Sequence, residues 1–117
     1  MNPSWELNLR ENIQLLRVGD LLSEHTNKEV LRTVEDQLNQ GFNKFVVDLS
    51  GVNYMNSVGL NLLIIMRERT QKQGGRLVLA SLSPTVTRLF KMTKLYPIFE
   101  LADTVEAAFA VFPDQKN

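Results

Sequence analysis

The N-terminal part of the chain contains two short runs with many apolar positions. These runs are WELNLR, residues 5–10, and IQLLRV, residues 13–18, and only Glu11 and Asn12 separate them. Apolar runs of this length that are separated by two residues are typical of a β-hairpin. The pattern therefore predicts two adjacent strands at the start of the domain.

The next apolar positions follow the period of an α-helix. Thr26 and Glu29 have the spacing of a capping box, in which a hydroxyl and a carboxylate each accept a hydrogen bond from a backbone N–H. Gly41 suits the left-handed residue that ends a helix, and Phe42 supplies the apolar contact that accompanies it. One helix is therefore predicted between these signals. Its apolar face consists of Val30, Leu31, Val34 and Leu38.

Two later runs have no polar alternation. KFVVDL, residues 44–49, and RLVLA, residues 76–80, are short and nearly continuous apolar segments, as expected of strands that are buried on both faces of a parallel sheet. Between them, a helix is predicted from about Ser57 to Gln73, and Gly74 follows it as a stop signal. This helix carries apolar residues on nearly all sides, so we expect most of it to be buried.

The C-terminal third repeats this alternation of helices and strands. Ser83 followed by Pro84 predicts the start of a short helix. IFEL, residues 98–101, is interpreted as the last strand. Asp103 and Glu106 again have the spacing of a capping box, which predicts a C-terminal helix.

The order β-β-α-β-α-β-α-β-α predicts a single α/β domain over residues 1–117, in which 113–117 form a frayed tail. Its sheet is expected to be mixed, mostly parallel and of about five strands, with the helices packed mainly on one face. The loop 52–59 leaves the end of the predicted strand 44–49. Because parallel sheets present binding surfaces at the carboxyl ends of their strands, this loop is expected on that edge.

Composition narrows the possible functions. The chain has no cysteine and a single histidine, His25, which excludes thiolate and multi-histidine metal sites. It has 13 basic and 13 acidic residues, so the basic surface of a nucleic-acid-binding protein is not expected. The longest apolar run is about half a membrane span, and residues 1–10 do not resemble a signal peptide. We therefore expect a cytoplasmic protein without a cofactor, metal site or membrane insertion.

The loop and helix start VNYMNSVGL, residues 52–60, carry the candidate functional residues. Ser57 either caps the helix or serves as a contact or phosphate-acceptor residue. Gly59 either packs closely within the domain or lets a partner approach Ser57. Asn56 is interpreted as a turn residue or as part of the same surface. Tyr54 precedes the serine and is a candidate contact at the edge of the sheet.

Three blocks of the chain resemble the STAS domain of anti-sigma factor antagonists. FVVDLSGVNYMNSVGLNLL is similar to the block of that family in which a buried strand precedes an Asp-Ser-Ser-Gly-Leu or Asp-Ser-Thr-Gly-Leu motif. GGRLVLASLSPTVTRLFKMTKL is similar to the strand and helix that follow, and IFELADTVEAA to the end of the domain. The resemblance thus covers nearly the whole chain.

The resemblance implies a binding switch rather than an enzyme. In that family, the antagonist binds an anti-sigma factor of the GHKL serine-kinase type and thereby releases a sigma factor. Phosphorylation of the motif serine, which matches Ser57, blocks binding, and a PP2C-type phosphatase restores it. The residues expected at the partner surface are Tyr54, Asn56, Ser57, Val58, Gly59 and Glu24.

The chain departs from the family pattern at three positions. Asn56 stands where the family has an aspartate, Val58 replaces the second hydroxyl residue, and Leu22 matches an aspartate near the first helix. Asn56 and Leu22 favour a second hypothesis, a STAS interaction module of a transporter or scaffold complex that is not phosphorylated, whereas Ser57 favours the first. A third hypothesis is a protein that binds a small molecule or nucleotide at the helix start near Ser57.

Overall fold

The computed structural model describes residues 5–20 and 23–113 of the chain. Leu22 and most of the predicted tail, 114–117, lie outside this range. Strands and helices alternate in the predicted order. They are β1 (Trp5–Arg10), β2 (Ile13–Val18), α1 (Glu24–Asn39), β3 (Lys44–Asp48), α2 (Ser57–Lys72), β4 (Arg76–Ala80), α3 (Pro84–Met92), β5 (Glu100–Ala102) and α4 (Val105–Ala110).

The strands form one five-stranded sheet in the order β1-β2-β3-β4-β5. β1 and β2 form the predicted antiparallel hairpin, and β2 to β5 run parallel. Each parallel connection contains one helix. α1, α2 and α3 contribute to the core on one face, whereas residues in and just after α4 pack on the other face. The predicted mixed, mostly parallel sheet with helices mainly on one face is confirmed.

The larger core lies between the sheet and the first three helices. Its fully buried side chains include Phe45 of β3, Leu63 and Met66 of α2, and Phe90 of α3. At about 25 cal/mol per Å² of apolar surface removed from water, side chains of this size supply most of the favourable folding free energy. As expected, α2 packs on two sides, because it contacts both α1 and β4.

At the amino ends of β4 and β5, Arg76 links the sheet to the end of α4. Its Nε and Nη2 donate to the two carboxylate oxygens of Glu100 at 2.8 and 2.6 Å, and Nη1 donates to the Val111 carbonyl at 3.0 Å. The hydrogen bonds to Glu100 raise the pKa of the Arg76 guanidinium above its usual value. These contacts join β4, β5 and the end of α4, on the side of the molecule away from the other helices.

Most predicted element bounds are confirmed within one or two residues. The bounds of β1, β2 and β4 are those predicted. Gly41 adopts the expected left-handed conformation, with φ of 97°, and the Phe42 N–H donates to the Gln37 carbonyl at 3.0 Å. Ser83 caps α3 and Pro84 is its first residue, as the pattern indicated.

Three predicted boundaries are wrong. α1 begins at Glu24, because Ser23 accepts a hydrogen bond from the Thr26 N–H at 3.3 Å, so the predicted capping box starting at Thr26 lies inside the helix. The cap of α4 is Thr104 and not Asp103. β5 begins at Glu100 rather than 98, because the Ile98 N–H donates to the Leu95 carbonyl at 3.0 Å in a turn and pairing with β4 starts at Glu100.

Candidate functional site

The loop before α2 lies at the carboxyl edge of the sheet, as predicted. The Asp20 side chain, just after β2, accepts hydrogen bonds from the backbone N–H groups of Asn53 and Tyr54 at 2.8 and 3.2 Å. This one carboxylate therefore joins the loop after β2 to the loop after β3. It fixes the chain immediately before the candidate residues.

Asn56 caps α2. Its backbone is extended, with φ of −114° and ψ of −172°, and its Oδ1 accepts hydrogen bonds from the N–H groups of Val58 and Gly59 at 3.0 and 3.2 Å. The capping role that the sequence offered to Ser57 thus belongs to Asn56. A neutral amide oxygen is sufficient for this role, since asparagine and aspartate are about equally favoured as caps.

Ser57 is the first residue of α2, and its side chain is exposed. Its hydroxyl forms no hydrogen bond to any residue in the described ranges. The serine lies at the positive end of the helix dipole, where a negative group is stabilised. The geometry therefore leaves this hydroxyl accessible to a partner or to a modifying enzyme.

Ser57 opens onto a groove between α1 and α2, which we call the α1–α2 groove. The groove has a volume of about 650 Å³ and is open to solvent along its length. Its lining residues are Glu24, Asn27, Lys28 and Leu31 of α1 and Ser57, Val58, Asn61, Leu62 and Ile65 of α2. Farther along the two helices, Glu35 and Arg69 form an ion pair.

Asn27 is a groove residue that the sequence analysis missed. It is only 6% exposed, and its Nδ2 donates to the Val58 carbonyl at 3.3 Å, which connects α1 to the first turn of α2. Its Oδ1 is buried and has no hydrogen-bond partner among the described residues. The signal was present in the sequence, because Asn27 continues the spacing of Leu31, Val34 and Leu38 on the inner face of α1.

The predicted partner-binding residues separate into three groups. Glu24, Ser57 and Val58 come together in the α1–α2 groove. Gly59 is buried, so its backbone lies within the domain. Tyr54 is 69% exposed and lines a separate hollow together with residues of α3. Asn56 is exposed and lines neither of these two surfaces.

Other polar groups near this edge have structural roles. The two carboxylate oxygens of Asp48 accept hydrogen bonds from the Arg17 Nε at 3.3 Å and from the Ser50 N–H at 3.0 Å. Within the described ranges, no group of three or more acidic or histidine side chains could hold a metal ion. None of the helices in these ranges is long and apolar enough to cross a bilayer.

Comparison with known families and sequences shows the family to which the chain belongs. The model of the STAS domain matches residues 4–108. BtrV of Bordetella bronchiseptica, a proposed anti-sigma factor antagonist, is 33% identical over 76 residues. That match covers 65% of this chain and 66% of BtrV.

Solved structures show the same fold. A proposed anti-sigma factor antagonist from Thermotoga maritima superposes with a TM-score of 0.83 at 24% identity, over 92% of each chain. The phosphorylated form of SpoIIAA, a cell fate determinant of Bacillus, superposes with a TM-score of 0.72 at 22% identity. This second comparison covers 92% of this chain and 99% of SpoIIAA.

Proposed function

Because the chain belongs to the STAS domain family, we propose that it is an anti-sigma factor antagonist. In this proposal it binds an anti-sigma factor at the α1–α2 groove and so releases a sigma factor. The name of BtrV and the sequence resemblance around Ser57 support this function. The chain acts as a ligand and as a substrate of a kinase, and it performs no chemistry itself.

The proposal rests on the exposure of the Ser57 side chain and on the lack of a hydrogen bond from its hydroxyl to any described residue. Asn56 supplies the helix cap, so the exposed serine hydroxyl has no structural task among the described residues. It lies in a groove with an apolar wall formed by Leu31, Leu62 and Ile65. An accessible hydroxyl beside an apolar surface suits a partner that packs on the groove and contacts the hydroxyl directly.

Phosphorylation of Ser57 would act as a local charge switch. A phosphoserine carries about −1.5 to −2 charges at neutral pH. The nearest first-turn donors, the N–H groups of Val58 and Gly59, already bind Asn56. The phosphate would therefore stay directed outward from the helix start, in a groove whose charged lining residues are Glu24 and Lys28. The added charge would repel a partner surface that fits a neutral hydroxyl, and the domain need not refold.

The kinase in this proposal is the anti-sigma factor itself, of the GHKL serine-kinase type, and a PP2C-type phosphatase reverses the modification. Asn56 provides a neutral cap where the family has an aspartate, so it contributes no charge near the acceptor serine. Phosphoryl transfer depends mainly on positioning and electrostatics. We therefore propose that Ser57 is phosphorylated more slowly than the serine of relatives with the aspartate.

The test is calorimetry with the serine-kinase anti-sigma factor of the source organism. We expect Ser57→Ala to bind like the wild type, and Ser57→Asp to bind about 100-fold more weakly, which is about 2.7 kcal/mol. Ser50→Asp is the matched control, because Ser50 is an exposed serine on the same edge of the sheet but outside the groove. Equal affinities for Ser57→Asp and Ser50→Asp would contradict the proposed interface.

A second candidate function is a permanently active interaction module. The neutral Asn56 cap favours it, because the charged neighbour of the family's phosphorylated serine is missing. Incubation with the kinase and ATP, followed by mass spectrometry of the Ser57 peptide, separates the two. Tight binding without any phosphate on Ser57 would support the module and exclude the switch.

A further inference from the structure

The surface around α3 exposes several large apolar side chains. Met92 is 74% exposed and Tyr54 is 69% exposed, and Ile98 and Tyr96 are 43% and 38% exposed. Single exposed apolar residues are ordinary, but neighbouring ones mark interaction surfaces on soluble domains. These four residues come from α3, from the turn after it and from the loop before α2, so the fold assembles them from separate segments.

Part of this surface is concave. Tyr54, Met55, Leu89 and Met92 line a hollow of about 200 Å³, which we call the α3 hollow. The hollow and the α1–α2 groove share no lining residue. Pockets for drug-sized ligands have volumes of about 300–1,000 Å³. The α3 hollow is smaller, and its size suits a single inserted side chain better than a small-molecule ligand.

The charged side chains of the segment 81–99 have one sign, whereas the Asp20 carboxylate accepts a hydrogen bond from the Tyr54 N–H beside the hollow. Residues 81–99 contain Arg88, Lys91 and Lys94 but no aspartate or glutamate. Arg88 lines the hollow, and the Lys91 Nζ lies 5.0 Å from the centre of the Tyr96 ring. None of the ion pairs found among the described residues includes any of these three cations. Their charges are therefore available to an anionic partner.

We propose that the α3 hollow binds an acidic segment of a protein partner, which inserts one apolar side chain between Tyr54 and Met92. The apolar lining supplies the anchor pocket, and the cations of the segment 81–99 select the acidic flanks of the ligand. Such a contact combines a central buried anchor with a charged margin, as protein interfaces commonly do.

Other occupants fit these observations less well. A second copy of this chain in a two-fold contact would bring the hollow against itself, and the three cations would then face three cations. An anionic membrane would gain about 1 kcal/mol for each nearby lysine or arginine, but a flat bilayer surface has no side chain to fill a hollow. The acidic segment satisfies both the concave shape and the charge.

The test uses synthetic peptides and methionine methyl NMR. The probe is a peptide in which glutamates flank a single leucine, and the protein carries ¹³C-labelled methionine methyl groups. We expect saturable shifts of the Met92 and Met55 signals, both of which line the hollow. Met66, which is 0% exposed in the core, is the internal control and should not shift. Absence of a Met92 shift would overturn the proposal.

Two further comparisons test the anchor and the charge. A peptide with alanine in place of leucine, and one with lysines in place of the glutamates, should each bind about tenfold more weakly, which corresponds to about 1.4 kcal/mol. In the protein, Arg88→Glu with Lys91→Glu should weaken binding by at least as much. Arg32→Glu with Lys72→Glu is the matched control, because both residues are exposed and neither lines the α3 hollow or the α1–α2 groove.

The contrary outcomes are equally distinct. Equal binding of the leucine and alanine peptides would exclude an anchored side chain. An equal loss for the Arg32 and Lys72 pair and for the Arg88 and Lys91 pair would show attraction to net charge without a defined site. Binding to anionic lipid vesicles with no peptide binding would assign the surface to a membrane. Each of these results rejects the proposed occupant and leaves the role of Ser57 untouched.

Discussion

Two concave surfaces next to the loop before α2 differ in chemistry. The α1–α2 groove presents the polar side chains of Glu24, Ser57 and Asn61 beside an apolar wall. The α3 hollow presents Tyr54 and other apolar side chains together with Arg88. One loop and helix start can thus serve two contacts, and a charge placed on Ser57 enters only the first.

α1 and α3 both contribute buried side chains to the same core, Val30 and Val34 from α1 and Phe90 from α3. α1 also donates the hydrogen bond from Asn27 to the Val58 carbonyl. Removing a buried ring leaves a cavity, whereas a hydrogen bond has a smaller net contribution to stability. We therefore expect substitutions of Phe90 and Asn27 to have unequal effects on stability.

The largest effect is expected from removal of the buried Phe90 ring of α3. Phe90→Ala should lower the free energy of unfolding by about 3–5 kcal/mol, because it removes a buried ring and leaves a cavity. Met92→Ala, on the exposed side of the same helix, should change it by less than about 0.5 kcal/mol. Urea denaturation measures both. If Phe90→Ala lowered the free energy of unfolding as little as Met92→Ala, the Phe90 ring would not hold α3 in the core.

The next effect concerns the hydrogen bond between α1 and the first turn of α2. Asn27→Asp should lower the free energy of unfolding by about 3 kcal/mol at pH 7, because a buried carboxylate would replace the donor to the Val58 carbonyl. Burial would raise the folded-state pKa of the new carboxyl above its unfolded value of about 3.9. The loss of stability should therefore grow as the pH rises above the unfolded pKa of about 3.9, and its pH-dependent part should disappear below that pH.

Urea denaturation at several pH values tests this effect. Asn61→Asp is the matched control, since Asn61 is an exposed asparagine in the same groove. It should change the free energy of unfolding by less than about 0.5 kcal/mol. If both variants lost the same amount, Asn27 would have no special role in joining α1 to α2.

A smaller effect distinguishes the cap from its neighbour. Asn56→Ala should cost about 1 kcal/mol, because the Val58 and Gly59 N–H groups lose their acceptor. Ser57→Ala should change the free energy of unfolding by less than about 0.5 kcal/mol, since the Ser57 hydroxyl bonds to no described residue. Thermal denaturation of the Asn56→Ala and Ser57→Ala variants shows which of the two residues caps α2. The reverse order would return the capping role to Ser57.

The smallest effect is expected from a charge at the cap. Asn56→Asp keeps an acceptor for the same N–H groups and adds a negative charge at the positive end of α2. It should raise the free energy of unfolding by about 0.5 kcal/mol at low ionic strength, and added salt should reduce the gain. Denaturation at two salt concentrations measures this. A salt-independent gain would argue against the helix dipole as its cause.

The fold was predictable from sequence because its strands are marked by composition. The short valine-rich and leucine-rich runs of β3 and β4 are typical of buried strands, and the two-residue gap at Glu11 and Asn12 is typical of a hairpin. Glycine at 41 and proline at 84 fix helix ends through backbone geometry. Such signals act within a few residues of the chain, so no tertiary information is needed.

The helix caps were less predictable, because several residues nearby could perform the same role. Ser23 and Thr26 are both able to cap α1, Asn56 and Ser57 to cap α2, and Asp103 and Thr104 to cap α4. The choice depends on which residue takes the extended backbone conformation, and this depends on packing. Placing Ser23 at the cap puts Asn27 inside α1, where it reaches the Val58 carbonyl.

The α3 hollow could not be read from the sequence. Its walls come from the loop before α2 and from α3, and residues 57–83 separate them in the chain. Tyr54 was predicted as an edge contact, but no local pattern indicates that Met92 lies beside it. Neither methionines nor tyrosines reveal their exposure by periodicity alone, because the same residue types also fill cores.

The strand order has a consequence for how the chain reaches its structure. Every strand pairs with the strand that precedes it in sequence, so each new pairing closes a loop of one helix or one turn. Closing these connections costs less entropy than pairing strands that are distant in the sequence. During synthesis, β1, β2, α1 and β3 can associate as they leave the ribosome, before α3 has been made. Assembly in order of translation would then complete the α1–α2 groove before the α3 hollow.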